Sequence, residues 1–175
     1  MKTIGLIAEI IAIVGVFVGC GGSDPISVVK GGTLEFDESV TVGGALEGYK
    51  YFDDCSWSKL EDSQGRQIVE FRGHLDLDRF VDAEVEGIKL TEDVVKRAKD
   101  KLPVDLTYVV QFAMGGDGET FRISYSGHET SVTNMETGEG VVEDMPDDEE
   151  MTGFQYIYAN RPDLVTFSTL LVCAQ

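Results

Sequence analysis

Histidine and tryptophan are scarce in this chain: 2 and 1 of 175 residues. A zinc site needs three or four ligands at workable spacing, and neither a CxxC pair nor an HExxH helix is present. His74 and His128 fall on different expected elements, where two exposed strand histidines account for them as well as a shared centre would. No GxSxG elbow holds a nucleophile, and no glycine-rich phosphate loop runs into Lys-Ser or Lys-Thr. Positive charge is also short, with 14 Lys and Arg against 32 Asp and Glu and a net charge of −18. Such a field repels phosphate backbones and anionic headgroups, so nucleic acid is excluded as a natural partner. These absences argue against an enzyme and imply no cofactor.

No apolar run is long enough to span a bilayer. The stretch from Thr3 to Gly19 falls short of the roughly 20 residues a crossing helix needs, and Glu9 interrupts it. Met1-Lys2 followed by that run and then by small residues has the grammar of a signal peptide. Phe17-Val18-Gly19-Cys20 resembles the lipobox of bacterial lipoproteins, in which the cysteine becomes lipidated and N-terminal after cleavage. The resemblance implies cleavage after a signal peptide over 1–19 and an acyl anchor on Cys20; the remaining 156 residues suffice for one domain over 26–175 after a linker over 20–25. The resemblance further implies a cell-envelope address. In a Gram-negative source, Gly21 in place of Asp is compatible with the periplasmic face of the outer membrane. An ordinary signal peptide or an uncleaved anchor is the alternative reading.

Cysteine is limited to three residues. With Cys20 as the anchor, Cys55 and Cys173 form an even pair in an oxidising compartment. A disulfide between them would close a long loop, worth roughly 4–5 kcal/mol in the chain-entropy view. Two buried thiols are the equal alternative. Asp53 and Asp54 beside Cys55 disfavour a reactive thiolate there.

What is present is alternation and helical phase. ISVVKGGTLEF (26–36) suggests a strand, and TVGGALEGYKYF (41–52) a short glycine-weakened helix. SWSKLED (56–62) and QIVEFRGHLDLD (67–78) form a hairpin, with Val69, Phe71, Gly73, Leu75 and Leu77 sharing one side. Thr91 caps a helix carrying Glu92 and Asp93 in its first turn, Val94, Val95, Ala98 and Leu102 at helical intervals, and Pro103 as its stop. VDLTYVVQFAM (104–114) and TFRISYSG (120–127), joined by GGDGE, make a second hairpin. A fifth strand is expected near 128–135, an acidic loop over 136–146 and a helix over 147–160. The ending DLVTFSTLLVC is either a strand or a docked tail.

Helix-hairpin order occurring twice predicts an α+β domain with an antiparallel sheet and helices packed on one face. In element order this resembles outer-membrane assembly lipoproteins and beta-lactamase inhibitor proteins, which bind other proteins. The TVGGALEGYKYF…SW…GRQIVEF segment is similar to small exported bacterial proteins. The resemblance carries no functional residue over.

Carboxylate-rich stretches 75–87 and 143–150 invite cation binding, yet neither has the spacing of an EF-hand loop, and solvated acidic surface is the simpler reading. Most large aromatics belong in the core. Tyr156 is the exception: on a helix whose inward stripe is Phe154, Ile157 and Tyr158, it points partly outward and is the expected partner contact. The expected function is noncatalytic binding of an unknown envelope protein by a lipid-anchored domain. Small-ligand or cation binding is the runner-up.

Overall fold

In a computed structural model, which describes residues 24–101, 104–133 and 140–175, the chain folds as an α+β domain. The signal-peptide and Cys20 expectations lie outside the described residues. Among the described residues, seven strands and five α-helices follow one another as α1 (Pro25–Gly31), α2 (Val42–Glu47), β1 (Phe52–Glu61), β2 (Gln67–Leu75), β3 (Glu84–Val85), β4 (Ile88–Lys89), α3 (Glu92–Lys101), β5 (Val104–Met114), β6 (Phe121–Thr133), β7 (Gly140–Pro146), α4 (Thr152–Tyr158) and α5 (Leu164–Cys173).

Both expected hairpins form, and they join into one antiparallel sheet of order β1-β2-β5-β6-β7. Phe71, for example, faces Trp57 on one side and Val110 on the other. Val69, Phe71, Leu75, Tyr108, Val110 and Phe112 all sit in one hydrophobic core with residues from the five helices. The helices therefore cover one face, as the alternation predicts. On the other face, Arg72 pairs with Glu129, and Gln111 Nε2 donates to Glu70 Oε2 at 2.8 Å. Val109, opposite Arg72 in register, is buried among these long polar side chains.

Four expectations are corrected. First, the segment expected as a strand over 26–36 opens with α1, which begins inside the anticipated 20–25 linker. Pro25 occupies the first turn, where its missing N–H costs nothing, and Val28 and Val29 bury against the core. Second, the strand expected near 128–135 is largely the continuation of β6, and the acidic segment that follows supplies β7 rather than a loop. Third, α4 begins at Thr152, not at Asp147. Asp147 and Asp148 accept from the backbone N–H groups of Phe154 (3.0 Å) and Thr152 (2.8 Å), so they satisfy the helix's orphan donors from outside it. Fourth, the C-terminal segment is a helix: Asp163 caps it by accepting from Thr166 N at 2.8 Å, and Phe167, Leu170 and Ala174 bury their side chains.

The helix expected after Thr91 forms, with Thr91 Oγ1 accepting from Val94 N at 3.4 Å. α3 packs on α5, and α2 on α4. Cys55 and Cys173 are free thiols in this structure, both partly buried. No helix among the described residues is long and apolar enough to cross a membrane.

Candidate functional site

α4 presents Phe154, Ile157 and Tyr158 to the core, and its helical phase leaves Tyr156 half-buried at the rim. Beside it opens a groove of about 240 Å³ lined by Phe36, Asp37, Gln155, Tyr156, Tyr158, Ala159 and Arg161. Phe36 is 45% exposed, although its ring packs edge-on against Tyr158 at 5.0 Å and Phe154 at 6.1 Å. A large aromatic held rigidly by other rings yet open to solvent loses little entropy on binding a partner. The Tyr158 hydroxyl, which donates to Val40 O at 2.9 Å, fixes the groove floor.

Charge in the groove is mixed. The Arg161 guanidinium lies over the Tyr156 ring at 4.2 Å from its centroid, a cation–π contact worth about 0.5–1 kcal/mol at an exposed site. Among the described residues Arg161 makes no ion pair. Asp37 accepts from Ser39 N (2.9 Å) and Ser39 Oγ (2.5 Å), and these bonds hold its carboxyl below the usual range.

The wall bearing Arg161 is anchored from below. Tyr49 Oη donates to Arg161 O (3.0 Å) and accepts from Asp163 N (3.0 Å), while Lys50 N donates to Asn160 Oδ1 (3.1 Å). Asp163 in turn meets His128 on β6, Nε2 to Oδ2 at 2.9 Å, with both side chains buried. The expectation that His128 is an exposed strand histidine is therefore corrected. Nearby, Tyr108 stacks edge-on against His128 and donates to Asp147 Oδ2 at 2.5 Å; Ser126 Oγ donates to the same oxygen at 2.8 Å. With His128 at 1% exposure, this polar chain ties β6 to α4 and α5 and offers no open surface for a reacting group.

His74 lies elsewhere, on the open face, 2.6 Å from Asp53 Oδ1, and this bond holds Asp53 below the ordinary carboxylate range. Three of the five carboxylates of the 75–87 stretch are engaged by bases: Asp76 by Arg79, Asp78 by Lys99 and Asp82 by Lys89. Among the described residues no group of three or more His, Cys, Asp or Glu is arranged to hold a metal ion. Cys55 and Cys173 lie on β1 and at the end of α5, and neither lines the Tyr156 groove.

Sequence reasoning identified Tyr156 from the phase of α4. It missed Phe36, Asp37 and Arg161 as its neighbours because they come from separate segments. Asn160-Arg161-Pro162-Asp163 is a turn signal, which could have located the wall but not its partner.

The fold and groove define an α+β domain with a half-covered antiparallel sheet and a small aromatic surface site. No family model matches the chain, and neither a curated protein nor a solved structure matches it.

Proposed function

We propose that this protein is a noncatalytic, lipid-anchored domain of the bacterial cell envelope that binds a protein partner. Cys20 is the acyl attachment point, and the groove at Tyr156 is the contact surface. The observation that carries the binding reading is the exposed, ring-supported Phe36 beside Tyr156 and an Arg161 that makes no ion pair among the described residues. Aromatic and arginine side chains are the residues that most often anchor protein interfaces. The groove's volume of about 240 Å³ lies below the range of roughly 300–1,000 Å³ typical of small-molecule sites. It suits one or two side chains of a partner better than a free ligand.

The test has two arms. Membrane fractionation with intact mass analysis compares the full chain with Cys20→Ala. An acylated product beginning at Cys20, lost from membranes in the variant, supports the anchor; an unmodified chain retaining its apolar segment defeats it. For binding, a photo-crosslinking residue replaces exposed Gln155 in cells of the native host. A discrete adduct that disappears in an Arg161→Glu background supports the groove. Adducts unchanged by that substitution, or none, overturn it.

A further inference from the structure

The sheet's two edges are treated differently. β1 also ends the sheet and most of its side chains are exposed, but it carries Lys59, paired with Asp24 at 3.0 Å, and its register slips between Phe52 and Asp54. A lysine and an irregularity on an edge strand disfavour pairing with foreign strands. β7 pairs with β6 on one side, and among the described residues no strand pairs with its other side.

Register assigns the side chains of β7 to faces. Val142 and Asp144 stand opposite Ser131 and Glu129, on the open face; Glu143 and Met145 stand opposite Thr130 and His128, on the helix-covered face. Val142 is 58% and Met145 39% exposed, so each face of the edge carries one exposed apolar and one acidic side chain.

We infer that the free edge of β7 takes an extended, basic segment of a protein partner by strand addition. The backbone supplies affinity through ladder hydrogen bonds, and side-chain pairing supplies selectivity. Opposite Val142, Glu143, Asp144 and Met145, a complementary strand presents apolar, basic, basic and apolar residues. That order is the same read in either direction, so the edge accepts it parallel or antiparallel. A second copy is the wrong occupant. Two copies joined antiparallel through β7 keep open face with open face, and the registers centred on the acids set Glu143 against Glu143 or Asp144 against Asp144, where like charges directly opposite are destabilising. The charge of −18 on each chain adds to that repulsion.

This edge is separate from the Tyr156 groove and rests on the proposed function only in taking a protein as the ligand. The probe is a ten-residue peptide with Val-Lys-Lys-Val at its centre. Its controls are the Val-Glu-Glu-Val counterpart and a version N-methylated at alternate amides, which keeps the charge and blocks one hydrogen-bonding edge. Binding is read by fluorescence anisotropy, and the site by amide exchange. The expected result is binding of the lysine peptide alone, with slowed exchange in β7, and a loss of at least about tenfold in affinity in Glu143→Lys/Asp144→Lys. Tyr156→Ala should leave this binding unchanged, so failure of the groove and failure of the edge are distinguishable. Equal binding of the N-methylated peptide would show charge attraction only and overturn strand addition. No binding, protection confined to β1, or a dimer joined through β7 would overturn it as well.

Discussion

His128 Nε2 on β6 and Asp163 Oδ2 at the start of α5 lie 2.9 Å apart, with the two residues 1% and 0% exposed. The same carboxylate oxygen accepts from Thr166 N at 2.8 Å, so one side chain both caps α5 and ties it to the sheet. Removing one partner of a buried pair leaves the other without compensation. Asp163→Ala is expected to cost about 3–5 kcal/mol, read as a lower urea midpoint at unchanged slope. Asp163→Asn should cost less, because asparagine also caps helices well. Equal stability of the alanine variant and the parent would refute the role.

The pair also sets a pH dependence. Burial pushes the Asp163 carboxyl up, but the hydrogen bond and charge of His128, with the bonds from Thr166, outweigh it and hold the group below its usual range. A depressed folded-state value means that the unfolded chain takes up the proton first as pH falls. The stabilisation is therefore complete above about pH 4 and is lost as pH drops through the folded value. Denaturation of parent and Asp163→Asn between pH 7 and pH 2 should give curves that converge below about pH 4. Parallel curves would contradict the linkage.

Much of the fold was legible because several local signals agreed. Thr91, the acids after it and Val95 with Ala98 all specify α3, and strict alternation specifies β2 and β5. Where only seven residues decide, as in α1, the β-branched valines resemble a strand, and burial of Val28 and Val29 in the core overrides that preference. α5 hid for another reason: LVTFSTLLVC is apolar almost all round, so neither period stands out. β7 hid behind its acids, because an edge strand tolerates charge on both faces. At the groove, Tyr156 follows from helical phase alone. Phe36 and Arg161 reach it only through tertiary packing, as His128 reaches Asp163, and no local pattern encodes such meetings.

Alkaline stability should follow the tyrosines. Burial pushes Tyr49 and Tyr108 far above the ordinary value, helped by the charges of Asp163 and Asp147 respectively. Burial, with Asp37 nearby, pushes Tyr158 up to about 12, and Tyr125 is raised by burial and by Asp144 and Glu129. A raised folded-state value gives stability that is complete below the unfolded value of about 10 and is lost as pH rises beyond it. Absorbance at the phenolate band and near-UV circular dichroism, followed together from pH 8 to 13, should show these four ionising with the loss of native structure. Ionisation of all six tyrosines near pH 10 with the dichroism intact would contradict their burial.

The free thiols make a simpler test. Cys55 and Cys173 are unjoined, and the Cys55 thiol is raised by burial and by the charges of Glu47 and Asp54. In the Cys20→Ala chain, non-reducing denaturation should expose two alkylatable thiols, and the native protein should modify Cys55 slowly at neutral pH. A single mass shift absent without reductant would instead establish a disulfide.

Gly127 tests how tightly β7 is held. It pairs with Pro146, and a methyl group added there would meet Met145 O at 2.6 Å and Pro146 Cα at 2.7 Å. These are backbone atoms, so no rotamer change relieves the contact; the end of β7 must move away from β6. Asp147 follows directly, and its bonds to Tyr108 and Ser126 depend on where that strand ends. Gly127→Ala is therefore expected to cost about 1–3 kcal/mol, the range for overpacking a tight contact. It should also speed amide exchange in β7 and at Phe154, whose N–H donates to Asp147. Gly116→Ala, where an added methyl meets nothing within 4 Å, is the matched control and should leave both readouts near the parent. If the two variants behave alike, the close approach of β7 to β6 at Gly127 is not what holds the sheet's outer strand and the start of α4 together.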